Sequence, residues 1–545
     1  MAVVWMGCHS LPGGVGAWGQ NRGIKTARLS SLYLVPTVAV MAAFLGAPER
    51  IPELLRPEIV VAGAIVYGMM LMVAHRWTGS VKDGIPRRPP WLATVPGILT
   101  VVGVLFFRFL IPPATVFARP VNVLVVGIDT LRYDHTSLSP DPAHETTPHL
   151  AALAGRGTVF RTAISQAPWT MPAFASIMTG RYPREHGAVS LSGYLRPGEV
   201  TLAERLREAG YETKGIVSHI YVNAAHGFAQ GFNAYDENNV LGHHEITSRN
   251  VTDRAIIFLK GIQGRPFFLF THYFDPHYEY RDHESVHFAD RYTGWLAGQQ
   301  LDIGGLRDRR HELSREDLNY LRDLYDEEIT YTDAEIGRLL DYLRTSGLEQ
   351  KTIVVVVGDH GEEFMERGWL GHTTSLHREQ IHVPLVIALP AGTQQVPTVS
   401  APVETRAILP TVLDYLVSSD SAGLADGSLL PLMTGNSTAS KEPAVFSEVW
   451  LPDAGIEKRV RMSGVRTRRW KFVRDLTRGE ERLFDLDADP GERLNLMDEQ
   501  PEQGAKLRAL LDAWSDQMPG DSSQSTTRAM TREEVEMLRS LGYVK

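Results

Sequence analysis

The sequence predicts an α/β fold in which a mostly parallel sheet carries helices on both faces. Two continuous apolar runs, VNVLVVGIDTLRYDH from Val121 and TIVVVVGDHGEEF from Thr352, have the pattern of strands that are buried on both sides. Shorter strands alternate with segments of helical pattern between them, as expected for parallel strands joined by helices. The chain has 545 residues, 43% of them hydrophobic and 22% charged, so one large core with additional domains is expected.

The first 115 residues differ in kind from the rest of the chain. Three apolar runs, near 30–47, 58–75 and 91–112, approach the roughly 20 residues that cross a bilayer. The Lys and Arg residues around them favour an inside location for the start of the chain and for the second loop. The prediction is a cytoplasmic leader at 1–28 and a membrane region at 29–115 with about three transmembrane helices. The protein would then be a multi-pass protein of the cell membrane with an extracytoplasmic catalytic domain; a signal peptide followed by buried helices is the alternative.

Cap residues delimit several helices after Val121. Thr147-Pro148 predicts the start of a helix that Gly155 ends, and the stretch 201–204 has the pattern of a capping box. The stretch 314–346 predicts one long charged helix or a broken pair. We predict a catalytic domain at 120–400, a smaller C-terminal α+β subdomain at 401–515 and a polar, mobile tail at 516–545.

Acidic residues follow the two buried strands. Asp129 comes after the first strand, and Asp359 and His360 come after the second. Because ligands of open α/β sheets bind beyond the carboxyl ends of the strands, these side chains should converge on one crevice. Two carboxylates and an imidazole are suitable ligands for a divalent cation. We predict one divalent metal ion, Zn, Mn or Ca, held by these three residues and by the hydroxyl of Thr170.

Thr170 lies in the stretch SQAPWTMPAFASIMTGRYPREHG, at 165–187. Pro172 favours the first turn of a helix, and the free amides of a helix N-terminus attract an anionic ester. A metal ion can hold a hydroxyl as an alkoxide near neutral pH. These features predict that Thr170 is a nucleophile, and an ordinary helix cap is the alternative.

Taken in order, these blocks resemble the sulfatase family of the alkaline phosphatase superfamily. The matching blocks are IDTLR, TTPHLAALAGRGTVF, MTGRYP, FTHYFDPH, GDHGEEF and GHTTSLHREQIHVPLVI, followed by VRTRRWKFVRD and LFDLDADPGERLNL. The resemblance covers about 121–497. It implies an alkaline-phosphatase-like sheet with a smaller C-terminal subdomain, and a metal-dependent hydrolase or transferase.

The chain departs from the family pattern at the nucleophile. Sulfatases carry Cys or Ser, converted to formylglycine, where this chain has Thr170, and they carry Arg where it has Phe174. The single cysteine is Cys8, so no formylglycine is expected. Thr130 stands in place of the second Asp of the family's metal-binding pair. The remaining residues resemble the site of threonine-dependent phosphoethanolamine transferases and lipoteichoic acid synthases, which carry Glu where this chain has Asp129.

The resemblance also implies roles for three further residues. His277 would face the bound ester, and His372 would stabilise the developing negative charge or the leaving group. Arg181 would contact the anion or Asp129, with a structural salt bridge as the alternative. His272 is interpreted as a core histidine.

Together these observations predict a membrane-anchored enzyme that acts on phosphate esters through a metal-activated Thr170, with a lipid or a glycan as the candidate substrate. A phosphorylated threonine can be cleared by in-line attack, whereas nothing in the motif is arranged to clear a sulfated one. Two alternatives stay open: a sulfuric ester hydrolase, and a non-catalytic membrane-tethered member of the fold. The net charge of −9 argues against a nucleic-acid partner.

Overall fold

A computed structural model describes the part of the chain that follows residue 120. It covers residues 121–545 apart from 241–245, 263, 278, 282, 284, 300, 302, 418–426, 437–442, 452–459, 521–526, 542, 544 and 545.

The main sheet has eight strands in the order β12-β2-β11-β7-β1-β6-β4-β5. These strands are β1 Asn122–Ile128, β2 Thr158–Phe160, β4 Glu212–Ile216, β5 Ala234–Asp236, β6 Phe267–Tyr273, β7 Thr352–Gly358, β11 Leu385–Ala388 and β12 Thr398–Val399. The central strand β1 pairs in parallel with both β6 and β7. Strand β11 is antiparallel to its neighbours β7 and β2. The mainly parallel sheet predicted from the apolar runs is confirmed.

The centre of this sheet is buried on both faces. Every residue of β1, β6 and β7 is buried, because both the odd and the even side-chain positions face apolar layers. One packed group of helices comprises α1, α5 and α7, and another comprises α2, α4 and α9. The helices are α1 Pro148–Ala154, α2 Thr170–Thr179, α3 Pro183–His186, α4 Leu202–Glu208, α5 Ser248–Gly261, α6 Ile303–Asp308, α7 Arg315–Thr345, α8 Arg378–Ile381, α9 Ile408–Val417, α10 Leu430–Met433, α11 Pro501–Ser515 and α12 Arg532–Ser540. Short 3-10 helices lie at Tyr133–His135, Ile220–Val222, Ala224–His226, Arg310–Glu312, Glu349–Lys351 and Thr405–Ala407.

Two smaller sheets lie beside the main one. One has three strands, β3 Ala163–Ile164, β10 His382–Val383 and β13 Val403–Glu404, and the other pairs β8 Glu363–Phe364 with β9 Leu370–Gly371. A four-stranded antiparallel sheet then forms the predicted C-terminal subdomain, with strands β14 Val445–Leu451, β15 Val460–Arg466, β16 Trp470–Asp475 and β17 Glu480–Asp485. Helix α11 packs on β15 and β16 and buries Leu507, Leu511 and Trp514 in a core of its own.

The helix boundaries follow the cap residues. Helix α1 begins at Pro148, and Thr201 and Glu204 form a reciprocal capping box at the start of α4. The ambiguous stretch at 314–346 is one continuous helix, α7, whose first turn is capped by Ser314. Its apolar residues pack on α5 and α1, and this packing keeps the 31-residue helix unbroken.

The prediction of a multi-pass location in the cell membrane is wrong, because it conflicts with the helices that the structure describes. Within the part of the chain that the structure describes, no helix is both long enough and apolar enough to cross a membrane. A span needs about 20 apolar residues; α2 is apolar but has 10 residues, and the long helix α7 carries many charges. The three apolar runs on which the prediction rested, and the leader before them, lie outside the described residues.

The predicted mobile tail also differs from the structure over residues 527–541 and at residue 543. Here the chain pairs Thr527 with Gly193 and then forms α12. Polar residues dominate the composition, which suggested mobility, but the helix gathers its apolar residues on one face. Leu538, Leu541 and Tyr543 are buried in the main core.

Candidate active site

The ends of two neighbouring parallel strands bring three potential metal ligands together. Asp129 follows β1, and its N–H donates to the carbonyl of Tyr273 at the end of β6 (2.9 Å). Asp359 follows β7, and its N–H donates to the carbonyl of Ile128 (3.3 Å). The ligand atoms of Asp129, Asp359 and His360 all lie within 4.8 Å of one another, and all three side chains are completely buried. Adjacent strand ends thus produce the cluster.

The chemistry of this cluster suits a divalent cation. Nε2 of His360 lies 3.5 Å from Oδ1 of Asp129 and 3.4 Å from Oδ2 of Asp359. Among the described residues, no group meets either oxygen of Asp129, or Oδ2 of Asp359, with hydrogen-bond geometry. Two buried carboxylates whose oxygens lack such hydrogen bonds are unfavourable unless a cation compensates their charge. The donor set of two oxygens and one imidazole nitrogen therefore fits a bound metal ion.

The pKa values of the two carboxyl groups are shifted in opposite directions. Burial raises the pKa of Asp129, but the imidazoles of His219 and His272 outweigh it and hold this pKa well below the usual value. Burial and the neighbouring charge of Asp129 raise the pKa of Asp359 well above its usual value. Burial lowers the pKa of His360 to about 3. The like charges repel each other in a dry site, and a cation would relieve that repulsion.

The backbone of Thr130 helps to hold the side chain of Asp359 in place. Thr130 has a φ of 52°, a left-handed conformation that is unusual for a β-branched residue. In this conformation its N–H donates to Oδ1 of Asp359 (3.1 Å), and its carbonyl accepts from the hydroxyl of Tyr325 (2.6 Å). The second N–H on Oδ1 comes from His360 (2.7 Å). Oδ1 is therefore satisfied, and Oδ2 is the oxygen beside His360.

Thr170 is the first residue of α2 and lies beside the cluster. Its Oγ1 is 3.3 Å from Nε2 of His360. The whole helix is buried, and Phe174, which stands where sulfatases carry Arg, presses on β1 so closely that a Cβ on Gly127 would lie 2.5 Å from its ring. Phe174 also packs edge-on against His272 at 5.0 Å. The apolar ring of Phe174 therefore packs against the site at the position where sulfatases carry the Arg side chain.

Histidines from three further segments surround the cluster. His219 Nδ1 and His272 Nε2 each lie 3.3 Å from Oδ2 of Asp129. His272 is buried, as interpreted, but it borders the site and is more than a core histidine. His219 was missed, although it follows β4 at the same edge of the sheet, so the rule about carboxyl strand ends could have found it.

His277 and His372 form the opposite wall. Their rings lie 5.0 Å apart, and the ring of His372 lies 4.5 Å from that of His360. Nδ1 of His372 lies 3.1 Å from Oε1 of Glu362. Burial lowers the pKa of His372 to about 3 and that of His277 well below its usual value, and it raises the pKa of Glu362 to about 8. Both histidines are therefore neutral imidazoles near pH 7.

Tyr543 was also missed, and it lies at the centre of the pocket. Its hydroxyl oxygen is 2.9 Å from Nε2 of His372, 3.4 Å from Nε2 of His277 and 3.4 Å from Oγ1 of Thr170. The edge of its ring meets Tyr221, with ring centroids 5.0 Å apart. No pattern in the sequence pointed to it, because it follows a short polar helix far along the chain.

Arg181 does not join this group. Its guanidinium binds Glu199 (2.9 Å), and 53% of its side chain is exposed. The structure therefore places it in the alternative role, a structural salt bridge. It lies just past Gly180, whose left-handed conformation ends α2, and therefore at the opposite end of the helix from Thr170.

The profile of the sulfatase family matches residues 121–418 of the chain. A second profile, described as the C-terminal part of N-sulphoglucosamine sulphohydrolase, matches residues 365–516. Among curated proteins, arylsulfatase K of Rattus norvegicus is 24% identical over 436 residues, which are 71% of this chain and 76% of that protein.

Two solved structures share the fold. A "2-O GAG sulfatase" superposes with a TM-score of 0.61 at 20% identity, covering 76% of this chain and 96% of its own. A phosphonate monoester hydrolase from Silicibacter pomeroyi superposes with a TM-score of 0.59 at 21% identity, covering 76% of this chain and 99% of its own. At these identities the superpositions establish the architecture alone.

Proposed function

The chain belongs to the sulfatase family, and we propose that it hydrolyses sulfuric esters with Thr170 as the nucleophile. The observation that carries the proposal is the position of Thr170 Oγ1, 3.3 Å from His360 at the edge of the buried Asp-Asp-His cluster. Hydrolysis is the activity of the matched family, whereas transfer to an acceptor has no support from the matches. The sulfuric ester alternative thus replaces phosphate esters as the leading hypothesis.

Members of the family typically bind a metal ion, and the donor set described above fits one. Asp129, Asp359 and His360 would hold it, with Thr170 as a further oxygen ligand. When bound, a divalent cation would lower the pKa of a nearby hydroxyl and offset negative charge on the ester. The identity of the ion, Zn, Mn or Ca, stays a prediction.

In the first step, Oγ1 of Thr170 forms a bond to sulfur while the bond between sulfur and the leaving oxygen breaks. The proton of the threonine hydroxyl is accepted at Nε2 of a neutral imidazole and then given to the leaving oxygen. The products are the free alcohol and a sulfated threonine. His277 and His372 suit this transfer, because Nε2 of each lies within 3.4 Å of one point in the pocket, the Tyr543 oxygen.

In the second step, a water molecule attacks sulfur and the bond between sulfur and Oγ1 breaks. An imidazole accepts a proton from the water, and Thr170 regains one as sulfate leaves. The sequence motif lacked a base for this step, and the two histidines of the opposite wall supply it. An anionic ester bound between them raises their low pKa values toward neutrality, which improves them as bases.

A cavity beside the His372 loop favours a large anionic substrate. Its volume is about 660 Å³, and it lies between that loop and the four-stranded sheet. Its charged lining residues are five arginines, Arg310, Arg367, Arg478, Arg482 and Arg493, and three carboxylates, Glu363, Asp475 and Glu492, so positive charge is in excess. Guanidinium groups match the charge and geometry of sulfate groups. We therefore propose a sulfated glycan as the substrate class, in keeping with the GAG sulfatase that shares the fold.

A second candidate substrate is a phosphate ester. The observation that favours it is the single hydroxyl of Thr170, which cannot expel sulfate as a geminal diol can and which suits displacement at phosphorus. The phosphonate monoester hydrolase that shares the fold is compatible with this chemistry. The same residues would serve in either case.

The two candidates are separated by assaying 4-nitrophenyl sulfate and 4-nitrophenyl phosphate, which share a leaving group, with metal-loaded protein. We expect the higher kcat/KM for the sulfate and a fall of about 10³-fold or more in Thr170→Ala, since the nucleophile is removed. Thr170→Ser keeps the hydroxyl and should retain part of the activity. Thr179→Ala, at the other end of the same buried helix, is the matched control. Preference for the phosphate would select the second candidate, and full activity of Thr170→Ala on both esters would refute the nucleophile.

A further inference from the structure

The active site is closed in this structure by the chain itself. Thr170, Asp129, Asp359 and His360 have no exposed surface, and His277 and His372 have almost none. An ester of a large alcohol needs an open path to Thr170. Tyr543 covers the site from the side of His277 and His372. Together with residues 527–541 it forms the stretch here called the 527–543 segment.

The hydroxyl of Tyr543 occupies the position of a substrate atom. In a reacting complex the sulfur or phosphorus lies about 3 Å from the nucleophilic oxygen, and the leaving oxygen lies beyond it. The Tyr543 oxygen is 3.4 Å from Oγ1 of Thr170 and also contacts His277 and His372. It is therefore located where the transferred anionic group would sit. Tyr543 and a bound ester cannot occupy the site together.

The surroundings of the phenol ring resemble a binding pocket more than a catalytic support. The ring lies edge-on to Tyr221 (5.0 Å) and to His372 (5.5 Å) and is stacked at 6.1 Å on His277. A catalytic acid would have to stand beyond the transferred group, not in its place. The position of the oxygen thus identifies an occupant that competes with substrate.

The rest of the segment is held by a few apolar side chains and a few polar contacts. Leu538 and Leu541 are completely buried, while the outer face of α12 is exposed and charged. At its start, Arg528 N–H donates to the carbonyl of Ser192 (2.9 Å), and the Arg528 guanidinium lies 3.3 Å from Nε2 of His226. The ion pair of Arg528 with Glu534 lies within the segment. Among the described residues the segment adds no strand to the main sheet, although its apolar side chains share the sheet's core, so it can open without breaking the ladder of the sheet.

We propose that the 527–543 segment is an intramolecular inhibitor, with Tyr543 filling the anion position of the active site until the segment detaches. The inference rests on the proposed function only in that Thr170 marks the reacting centre. By population-shift arithmetic, a segment that is open about 10% of the time weakens the apparent affinity for an anion by about 10-fold.

The test measures orthovanadate binding to the metal-loaded full-length chain by titration calorimetry. Tyr543→Ala removes the side chain that fills the anion position, and Leu541→Asp detaches the 527–543 segment. Both variants should therefore bind vanadate about 10-fold more tightly than the wild type. Tyr543→Phe keeps the ring and should lie between them and the wild type. Leu510→Asp, at an exposed position of α11, is the matched control and should bind as the wild type does. In the unaltered chain, vanadate should speed hydrogen exchange in α12.

Equal or weaker vanadate binding by Tyr543→Ala and Leu541→Asp would overturn the inference, and so would increased protection of α12 on binding. Absence of vanadate binding in every variant would overturn it too, because opening the segment would then expose no anion site. Tighter binding without hydrolysis of either nitrophenyl ester would instead leave the inference standing and refute the proposed function.

Discussion

The active site is assembled from two regions that are held in different ways. The strand-end region, Asp129, Asp359 and His360, continues directly from β1 and β7, which are tied to each other by a parallel ladder over seven residue pairs. The 527–543 segment reaches the same pocket through one isolated bridge, a short helix and the buried side chains of Leu538 and Leu541. The first region cannot move without breaking the sheet, whereas the second can detach as a unit.

This difference teaches how a rigid catalytic centre can be regulated by its own chain. Strand ends hold charged groups in positions that would otherwise be unfavourable, because the sheet outweighs their repulsion. A weakly attached segment can then block the pocket without altering the groups that it covers. Changes in the strand-end region should abolish activity, and changes in the segment should adjust it.

The largest effect is expected from Asp359→Asn. The substitution removes one of two buried charges, so metal content and kcat/KM should both fall, the latter by about 10³-fold. The melting temperature of the metal-free protein should hold or rise, because the repulsion with Asp129 disappears. Elemental analysis and esterase assays check this against Asp341→Asn, an exposed carboxylate on α7. Full metal occupancy in Asp359→Asn would remove the cluster as the metal site.

A smaller effect is expected from a change at His372, which lies outside both the strand-end region and the 527–543 segment and contacts each of them. His372→Asn should lower kcat by about 10²-fold, since it removes a group that transfers protons. Glu362→Gln leaves the ring in place and should cost about 10-fold. The pH profile of kcat separates the two, because only the histidine variant should lose its acid limb. An unchanged profile in His372→Asn would place proton transfer elsewhere.

Acidification should loosen the 527–543 segment. Burial, and then the charge of Arg528, lower the pKa of His226 to about 3, and Glu534 and His219 also act on it. The docked form thus binds fewer protons than the open one, so docking is fully favoured above about pH 6.5 and weakens as the pH falls from there toward 3. Between pH 7.5 and 5.5, exchange protection of α12 should fall by about 10-fold after correction for intrinsic rates. His226→Gln should weaken this dependence but not remove it, because His277 and His372, which contact Tyr543, also have pKa values lowered by burial. An unchanged dependence in His226→Gln would exclude His226 as a contributor.

The smallest effect is expected from Arg528→Ala. Its guanidinium lies 3.3 Å from Nε2 of His226, outside the segment, and pairs with Glu534 inside it; partly exposed contacts of this kind contribute about 0.2–1 kcal/mol. Vanadate affinity should therefore increase by about 1.4- to 5-fold. Arg532→Ala removes a comparable pair, with Glu536, on the outer face of α12 and is the control. Equal effects of the two variants would show that helix stability, and not docking, is being measured.

Much of the strand-end region was predictable from sequence. Continuous apolar runs identified β1 and β7, and the rule that ligands bind at the carboxyl ends of parallel strands related Asp129 to Asp359 although 229 residues separate Thr130 from Asp359. His219 obeys the same rule and could have been found by it. Arg181 was assigned by resemblance, and the structure instead turns its side chain to Glu199.

The sequence by itself determined which strands are buried, where the acidic residues follow them and that Thr170 begins a helix, because these properties depend on local patterns and on a general rule of sheet geometry. The tertiary structure alone decided what fills the pocket. Tyr543 lies 373 residues from Thr170 along the chain, and its contact depends on how Leu538 and Leu541 pack into the core. Such a contact has no local periodicity, since it arises from the sum of many weak side-chain contacts across distant elements.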